Sequence, residues 1–452
     1  MNTLNFDKPQ YKNTANLLDP IVGHSDALAD ELREKILTAK SGKQHSGRSW
    51  YISNSGSDNN DGKSSKTPWA TLKALQEHEA EICFGDNVLL ECGGVYRGRI
   101  IAKSGVYYGS YGNGDKPCIY VSRCNYATRE WKQTEPYVWE MDLPDCVHDA
   151  GIVVFNHGEA VGTKKHFEEK MDTDLDFTYK EYKLSLYSTW NPSERFNSIE
   201  IGDLTHIIQL APKTTDVTID NLTLKYGGGM AVQVGDGVEN IEIRNCEIGW
   251  IGGSYLIGYK DGKVRFGNGI EFWGGCKNIM VENCWVYQIY DSGLSHQGSM
   301  SFIVDNLTFK NNLVEYTSFA SIEFWADFQK GSIMQNINYE GNILRFAGYG
   351  WGEIKRPFTH AFHILATGDS HHKCVNFYVK NNIMELAKRD LLKCRSVLGT
   401  VPILDGNTYI QKKYGTLGGY KDVNTPIYRF DDHASDLIEN TFLDKNATVL
   451  YF

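Results

Sequence analysis

Three acidic residues stand where a short aromatic phrase is repeated. Ile-Glu-Phe-Trp occurs at 270–273 and again at 322–325, and the stretch IYDSGLSHQ (289–297) between the copies adds Asp291. Crowded carboxyl groups push one another's proton affinity apart, so that one keeps its proton near neutrality while its partner stays charged. Two such groups ~6.5–9.5 Å apart can hydrolyse a glycosidic bond with inversion, and ~5 Å apart with retention. Each glutamate is followed by a tryptophan, Trp273 or Trp325, whose flat apolar face is suited to stacking on a sugar ring. The candidate catalytic set is therefore Glu271, Asp291 and Glu323.

Period-two reading tells how a chain could present them. In a strand, alternate side chains face opposite sides. With Ile270, Phe272, Ile322 and Phe324 turned inward, Glu271, Trp273, Glu323 and Trp325 turn outward. The intervening GLSHQ places Ser295 and Gln297 outward, the preceding AVQV places Gln233 outward, and the following FHIL offers His363. The expected outer column is Gln233, Glu271, Ser295, Glu323 and His363, with Trp273, Gln297 and Trp325 beside it. Neighbouring strands lie about 4.8 Å apart, so Glu271 and Glu323 would be roughly 10 Å apart at the backbone. A glutamate alternating along a strand also serves simply to keep a sheet face soluble, but two exposed tryptophans ask for a partner.

A repeat explains why strands distant in sequence should stack. VTIDNLTL (217–224), IEIRNCEI (241–248), IMVENCWV (279–286), LTFKNNLV (307–314), INYEGNIL (337–344), FYVKNNIM (377–384) and PILDGNTY (402–409) share one frame, with starts 24 to 40 residues apart. The fifth position is only Asn or Gly, the residues that best tolerate left-handed backbone, which marks a corner. The strand after that corner is where the repeated phrase is expected. Asn312, Asn342, Asn382 and Asn407 at the sixth position, after Cys246 and Cys284, can hydrogen-bond from coil to coil. One coil per repeat, closed by its neighbours, is a solenoid. The fold class expected is all-β, a parallel β-helix over 48–452 with loop insertions around 125–200, 249–267 and 345–363.

Residues 1–47 stand apart. SDALADELREKILTAK (25–40) begins with a potential Ser25 N-cap and carries apolar residues at Leu28, Leu32 and Ile36/Leu37, so a helix capping the end of the solenoid is expected. Downstream, Tyr51-x-Ser-x-x-Gly-Ser-Asp-x-x-x-Gly62 is followed by Pro68-Trp-x-Thr-Leu72. This string resembles the segment that opens right-handed parallel β-helix proteins of the pectate-lyase-like superfamily. The resemblance implies that fold, with GDNVLLECGGVYRGRI (85–100) entering the first coils. It leaves the reaction open, because hydrolases, lyases and epimerases all occur there. A looser likeness is to β-helix glycosidases of neutral glycans; the paired aspartates, His-Gly and Arg-x-Lys of the polygalacturonase type are not found.

Glycine- and aromatic-rich loops at 249–267 and 345–363 should wall the groove. Arg265, Trp351, Lys355, Arg356 and His360 are their candidate substrate contacts, together with Trp273, His296, Gln297, Trp325 and His363. The rival reading is a polysaccharide lyase or uronate epimerase, which needs a base such as His296, His363, Lys355 or Arg356 and cations or calcium to neutralise the uronate. A non-catalytic carbohydrate-binding β-helix is the third. No metal site or cofactor is expected; His371, His372 and Cys374 match no standard zinc spacing. An oligo- or polysaccharide is the expected partner. Net charge of −10 and a pI near 5.7 argue against nucleic acid or an anionic membrane. Ten cysteines without CxxC spacing, and no basic-then-apolar leader at the start, lead to the expectation of a cytoplasmic protein with buried thiols. Oligomeric state is left open.

Overall fold

Each coil of the chain contributes three short strands, and coils stack so that equivalent strands form three long sheets: A, which holds Ile270–Trp273 and Ala320–Ala326; B, which holds Val238–Arg244 and Cys276–Glu282; and C, which holds Glu247–Ile251 and Trp285–Ile289. The computed structural model describes residues 12–13, 16–17, 21, 23–146, 148–258, 263–299, 303–326, 332–352, 361–368, 374–396, 402–421, 428–429, 443–444 and 446–452. Among them each sheet has ten strands, all parallel except Tyr428–Arg429 at one edge of sheet A. This is the all-β, right-handed parallel β-helix expected from the repeat. Its interior is a continuous column of Ile, Val, Leu and Phe running from Trp50 to Leu417.

The corner inferred from the repeat lies between sheets B and C. Asn221, Asn245, Asn283, Asn311, Gly341, Asn381 and Gly406 all have positive φ, between 49° and 66°. Behind it runs the asparagine ladder. Asn312 donates its backbone N–H and Nδ2 to Asn342 Oδ1 at 3.0 Å, Asn342 does the same to Asn382 at 2.9 Å, and Asn382 to Asn407 at 3.0 and 3.1 Å. Asp444 terminates it, accepting from Asn407. Every member is buried, and each amide also reaches an inner carbonyl such as Val281 O or Phe309 O.

Two further stacks were not read from the sequence. Asn240, Asn278, Asn306, Asn336 and Asn376 repeat a left-handed residue within sheet B. Exposed amides join along that stack, Asn278 to Asn240 at 2.9 Å and Asn306 to Asn278 at 3.1 Å. In sheet C the left-handed residues are Tyr226, Trp250, Gln288, Tyr316, Phe346 and Leu386, with φ of 51–60°. These bends carry the chain toward sheet A. The repeated Ile-Glu-Phe-Trp phrase therefore lies not on the strand after the Asn/Gly corner, which belongs to sheet C, but one strand further, in sheet A.

The helix Asp26–Thr38 forms as expected, yet it lies along the side of the solenoid and not over an end. It covers the outer face of sheet C. Arg33 donates to Glu315 at 2.9 Å, Arg345 pairs with Glu315 at 3.0 Å and with Asp26, and Arg345 Nε lies 3.4 Å from Glu385. Ser25 makes no capping bond; its hydroxyl donates to Glu385 instead, because that buried carboxylate needs donors more than the helix end does. The opening segment covers the N-terminal end in its place, with Trp50 stacked on Trp69 at 5.2 Å and Leu72 and Leu75 beneath the first coils.

Between the strands Cys118–Tyr120 and Ile208–Leu210 the chain leaves the solenoid. It builds a five-stranded and a three-stranded sheet, largely antiparallel, around their own core of Phe155, Phe177, Leu184, Leu186 and Ile199. The 249–267 stretch is partly strand: Glu247–Ile251 belongs to sheet C, and Ser254–Tyr255 pairs with Arg265–Phe266 in a hairpin. Half of the cysteines are not buried: Cys146, Cys246, Cys276, Cys284 and Cys394 are, whereas Cys83 is exposed, and none forms a disulfide.

Candidate active site

Sheet A sets the register of the site. Gln233 pairs with Glu271, Glu271 with Ser295, and Ser295 with Glu323; alongside, Trp273 pairs with Gln297 and Gln297 with Trp325. From Gln233 to Glu323 and from Trp273 to Trp325 the columns stand as alternation placed them, with Ile270, Phe272, Leu294, Ile322 and Phe324 in the core behind. Trp273 is 41% exposed, and Gln297 and Trp325 are partly covered. The glutamates depart from the expectation of solvent-facing residues: on the outer face, Glu271 is only 5% and Glu323 only 8% exposed.

What surrounds them is a circuit the sequence reading missed. Asn268 Nδ2 donates to Glu271 Oε2, while Asn268 Oδ1 accepts the backbone N–H of Ser292 at 2.9 Å. Ser292 Oγ donates to Glu323 Oε2 at 2.6 Å, and Gln297 Nε2 reaches the same oxygen at 3.1 Å and Ser295 Oγ at 3.0 Å. Asn268 and Ser292 occupy the corner between sheets C and A, beside Gly269 and Gly293. A Cβ on Gly269 would come within 2.4 Å of the Gly293 carbonyl oxygen, so the coils touch there through bare backbone. That requirement accounts for the glycines of GNGIEF and DSGLS, and it was the available clue that the polar residues beside them are locked in place.

Burial pushes the Glu271 carboxyl up to about 8, with the Asn268 hydrogen bond opposing and the charges of Glu323 and Asp291 adding to the rise. Asp291 is half-buried at the same corner, its N–H bonded to Gly267 O at 3.1 Å. The three expected carboxyl groups are thus brought within electrostatic reach of one another. Glu323 accepts from two donors, Ser292 Oγ and Gln297 Nε2, on one oxygen.

Several expected contacts are not at the groove. Leu365, not His363, pairs with Glu323. The His363 ring is buried between Ser321 Oγ at 3.0 Å and the Glu385 carbonyl at 2.9 Å, and burial brings it down to about 3. His296 points into the core, as its own alternation requires, stacked on Phe324 at 5.3 Å with Nε2 against Gly274 O at 2.8 Å; burial holds it at about 4. Trp351 is buried, donating Nε1 to Gln288 O at 3.0 Å. Arg265 places Nε on Gly253 O at 2.6 Å and its guanidinium 4.5 Å from the Tyr290 ring, bracing the hairpin behind Asp291. Arg265 and Trp351 were expected at the wall from the composition of their loops; here backbone carbonyls and a ring take up their polar groups instead. Lys355, Arg356 and His360 lie outside the described residues, as do His371 and His372.

Fold and site together define a parallel β-helix with a linked pair of buried carboxyl groups on one outer wall. No family model matches the sequence, and no curated protein is significantly similar to it. Solved structures with a similar course include a glycoside hydrolase (10% identity, TM-score 0.44, covering 89% of this chain and 96% of that one). Others are a rhamnogalacturonan lyase (12%, 0.41, 80% and 74%) and an alginate lyase from Paenibacillus sp. str. FPU-7 (10%, 0.41, 84% and 95%).

Proposed function

We propose that the protein is a carbohydrate-active enzyme, a glycoside hydrolase whose acid is Glu271 and whose opposed carboxylate is Glu323. The observation that carries this reading is the circuit Glu271–Asn268–Ser292–Glu323 beside Trp273 and Trp325. It holds two carboxyl groups in unlike surroundings on one wall. A carboxyl kept up at about 8 retains its proton at neutral pH and can protonate a leaving oxygen. Glu323, hydrogen-bonded by Ser292 and Gln297, is the base that activates the attacking water from the other side of the sugar. Their offset of two strands, roughly 10 Å at the backbone, favours inversion over a covalent intermediate. Asp291 raises the proton affinity of Glu271 and does not need to touch substrate.

Abstraction of a proton beside a uronate is less well supported. His296 and His363 are buried with a ring nitrogen on a backbone carbonyl, and the acidic groups Asp291 and Glu323 beside Glu271 disfavour a uronate at the reacting position. The test is product release from arabinan, xylan and fucosylated oligosaccharides, set against ultraviolet absorbance of unsaturated product from uronate polymers. Reducing sugar without that absorbance, lost in Glu271→Gln, is expected. Unsaturated product would replace the hydrolase with a lyase; inertness of the wild type toward every glycan would leave only binding.

A further inference from the structure

The corner that holds Asn268 and Ser292 continues down the solenoid. Gly269 N–H bonds Ser292 O at 2.9 Å, Ala231 N–H bonds Asn268 O at 3.2 Å, Ile207 N–H bonds Met230 O at 3.2 Å and Ile100 N–H bonds Ile207 O at 2.8 Å. Those bonds keep successive coils in phase, so Gly98 and Arg99, just ahead of the strand Ile100–Ala102, lie three strand spacings below Glu271, roughly 14 Å along the axis. There the ridge opens into a cleft of about 570 Å³ between the helix Leu72–Glu77 and the inserted sheets.

The cleft is lined by Lys73, Arg97, Arg99 and Arg123 against Asp145 and Asp203. Most of those cations are engaged. Arg97 grips Glu200 through two bonds of 2.8 and 3.0 Å, Arg123 pairs with Asp203 at 3.2 Å, and Lys73 with Glu77 at 3.2 Å. Arg99 is exposed and has no carboxylate partner among the described residues; its backbone carbonyl is pinned by Gln76 Nε2 at 3.1 Å. The ridge therefore runs from an acidic cluster at Glu271, Asp291 and Glu323 to a guanidinium, on a fixed main chain, that is free to take an anion.

We propose that this cleft is a distal subsite for an anionic group, a uronate carboxylate or a sulfate ester, carried by a glycan whose neutral part lies at Glu271 and Glu323. Arg99 supplies the charge contact, with the planar fork that suits either oxyanion. The proposal rests on reading the groove as a glycan site. It deepens that reading by making the substrate a mixed chain, neutral where it is cut and acidic some residues away, and the polarity of the ridge fixes which way round it lies.

The test is calorimetric binding to full-length Glu271→Gln protein, which will not consume its ligand. Probes are glucuronate- and galacturonate-bearing oligosaccharides, their carboxyl-reduced neutral counterparts, and sulfated oligosaccharides. At least tenfold tighter binding of an acidic probe than of its neutral counterpart is expected, with the difference abolished by Arg99→Ala and partly restored by Arg99→Lys. Preference for uronate or for sulfate identifies the anion. Equal affinity for acidic and neutral probes, a preference that survives Arg99→Ala, or no binding of any acidic probe overturns the proposal. A protein that hydrolyses no glycan yet binds acidic probes through Arg99 would remove the hydrolase reading and leave the subsite standing.

Discussion

Glu271 and Glu323 have the same phrase around them and different neighbours. Glu271 receives one donor, from Asn268, in a site with two other carboxyl groups nearby; Glu323 receives donors from Ser292 and Gln297. Replacing either by Gln should lower kcat about 10²–10⁴-fold, while the thermal midpoint at pH 7 stays level or, for Glu271→Gln, rises. The rise follows from the sign of the shift. Folded Glu271 titrates near 8 and an ordinary glutamate at 4.5, so between those values the native state keeps a proton that the unfolded chain has released. Stability contributed by this group is full below pH 4.5 and is lost as pH climbs to 8, by up to about 1.4 kcal/mol per unit. Thermal melts across that window should show a shallower decline in Glu271→Gln than in wild type, and the rate should fall above about pH 8 as the acid is lost. The column positions of these residues were legible because period two and a shared repeat frame leave little freedom. Their burial was not, since Asn268 and Ser292 carry no pattern of their own.

The buried asparagines are the element on which coil spacing depends. Removing Asn342 by substitution with Ala leaves the Asn312 backbone N–H without its acceptor and the Phe309 carbonyl without its side-chain donor, while Asn382 Oδ1 keeps only the backbone N–H of residue 342. Each buried group left unpaired costs about 1–3 kcal/mol, and urea unfolding should register the sum as a lowered midpoint. Beneath the N-terminal helix, Arg345→Ala leaves Glu315 with Arg33 as its cation and Glu385 with the donors of His24 and Ser25 in place of a guanidinium, a loss of about 3–5 kcal/mol by the same measurement. The Asn/Gly corner was readable because only those residue types are at ease in left-handed backbone. The matching bends at Tyr226, Trp250, Tyr316 and Phe346 were hidden, because bulky side chains there are tolerated only when stacking on the next coil over-determines them. Missing that bend is why the repeated phrase was placed one strand too early.

At the scale of the whole molecule, the helix Asp26–Thr38 and the residues flanking it, 23–48, work as a strap. Deleting residues 1–38 should lower the thermal midpoint and speed amide exchange in Leu313–Thr317, Ile343–Ala347 and Ile383–Ala387, while Tyr107–Tyr111 in sheet B keeps its protection. Exchange spread evenly over all three sheets would show instead that the strap contributes nothing local. The sequence disclosed the helix itself through its apolar spacing; it could not disclose the address, since Arg33, Glu315, Arg345 and Glu385 are scattered along the chain and read as ordinary surface charges.

Ser25 meets Glu385 across 360 positions of polypeptide. During synthesis, then, the helix that follows Ser25 has no complete berth until the coil carrying Glu385 has been made. The nascent protein must wind the intervening steps of its staircase with one banister loose, and that rail is fastened only when residue 385 arrives. A chain cut short before that coil would carry the same lower coils and the same groove, yet leave the helix Asp26–Thr38 adrift.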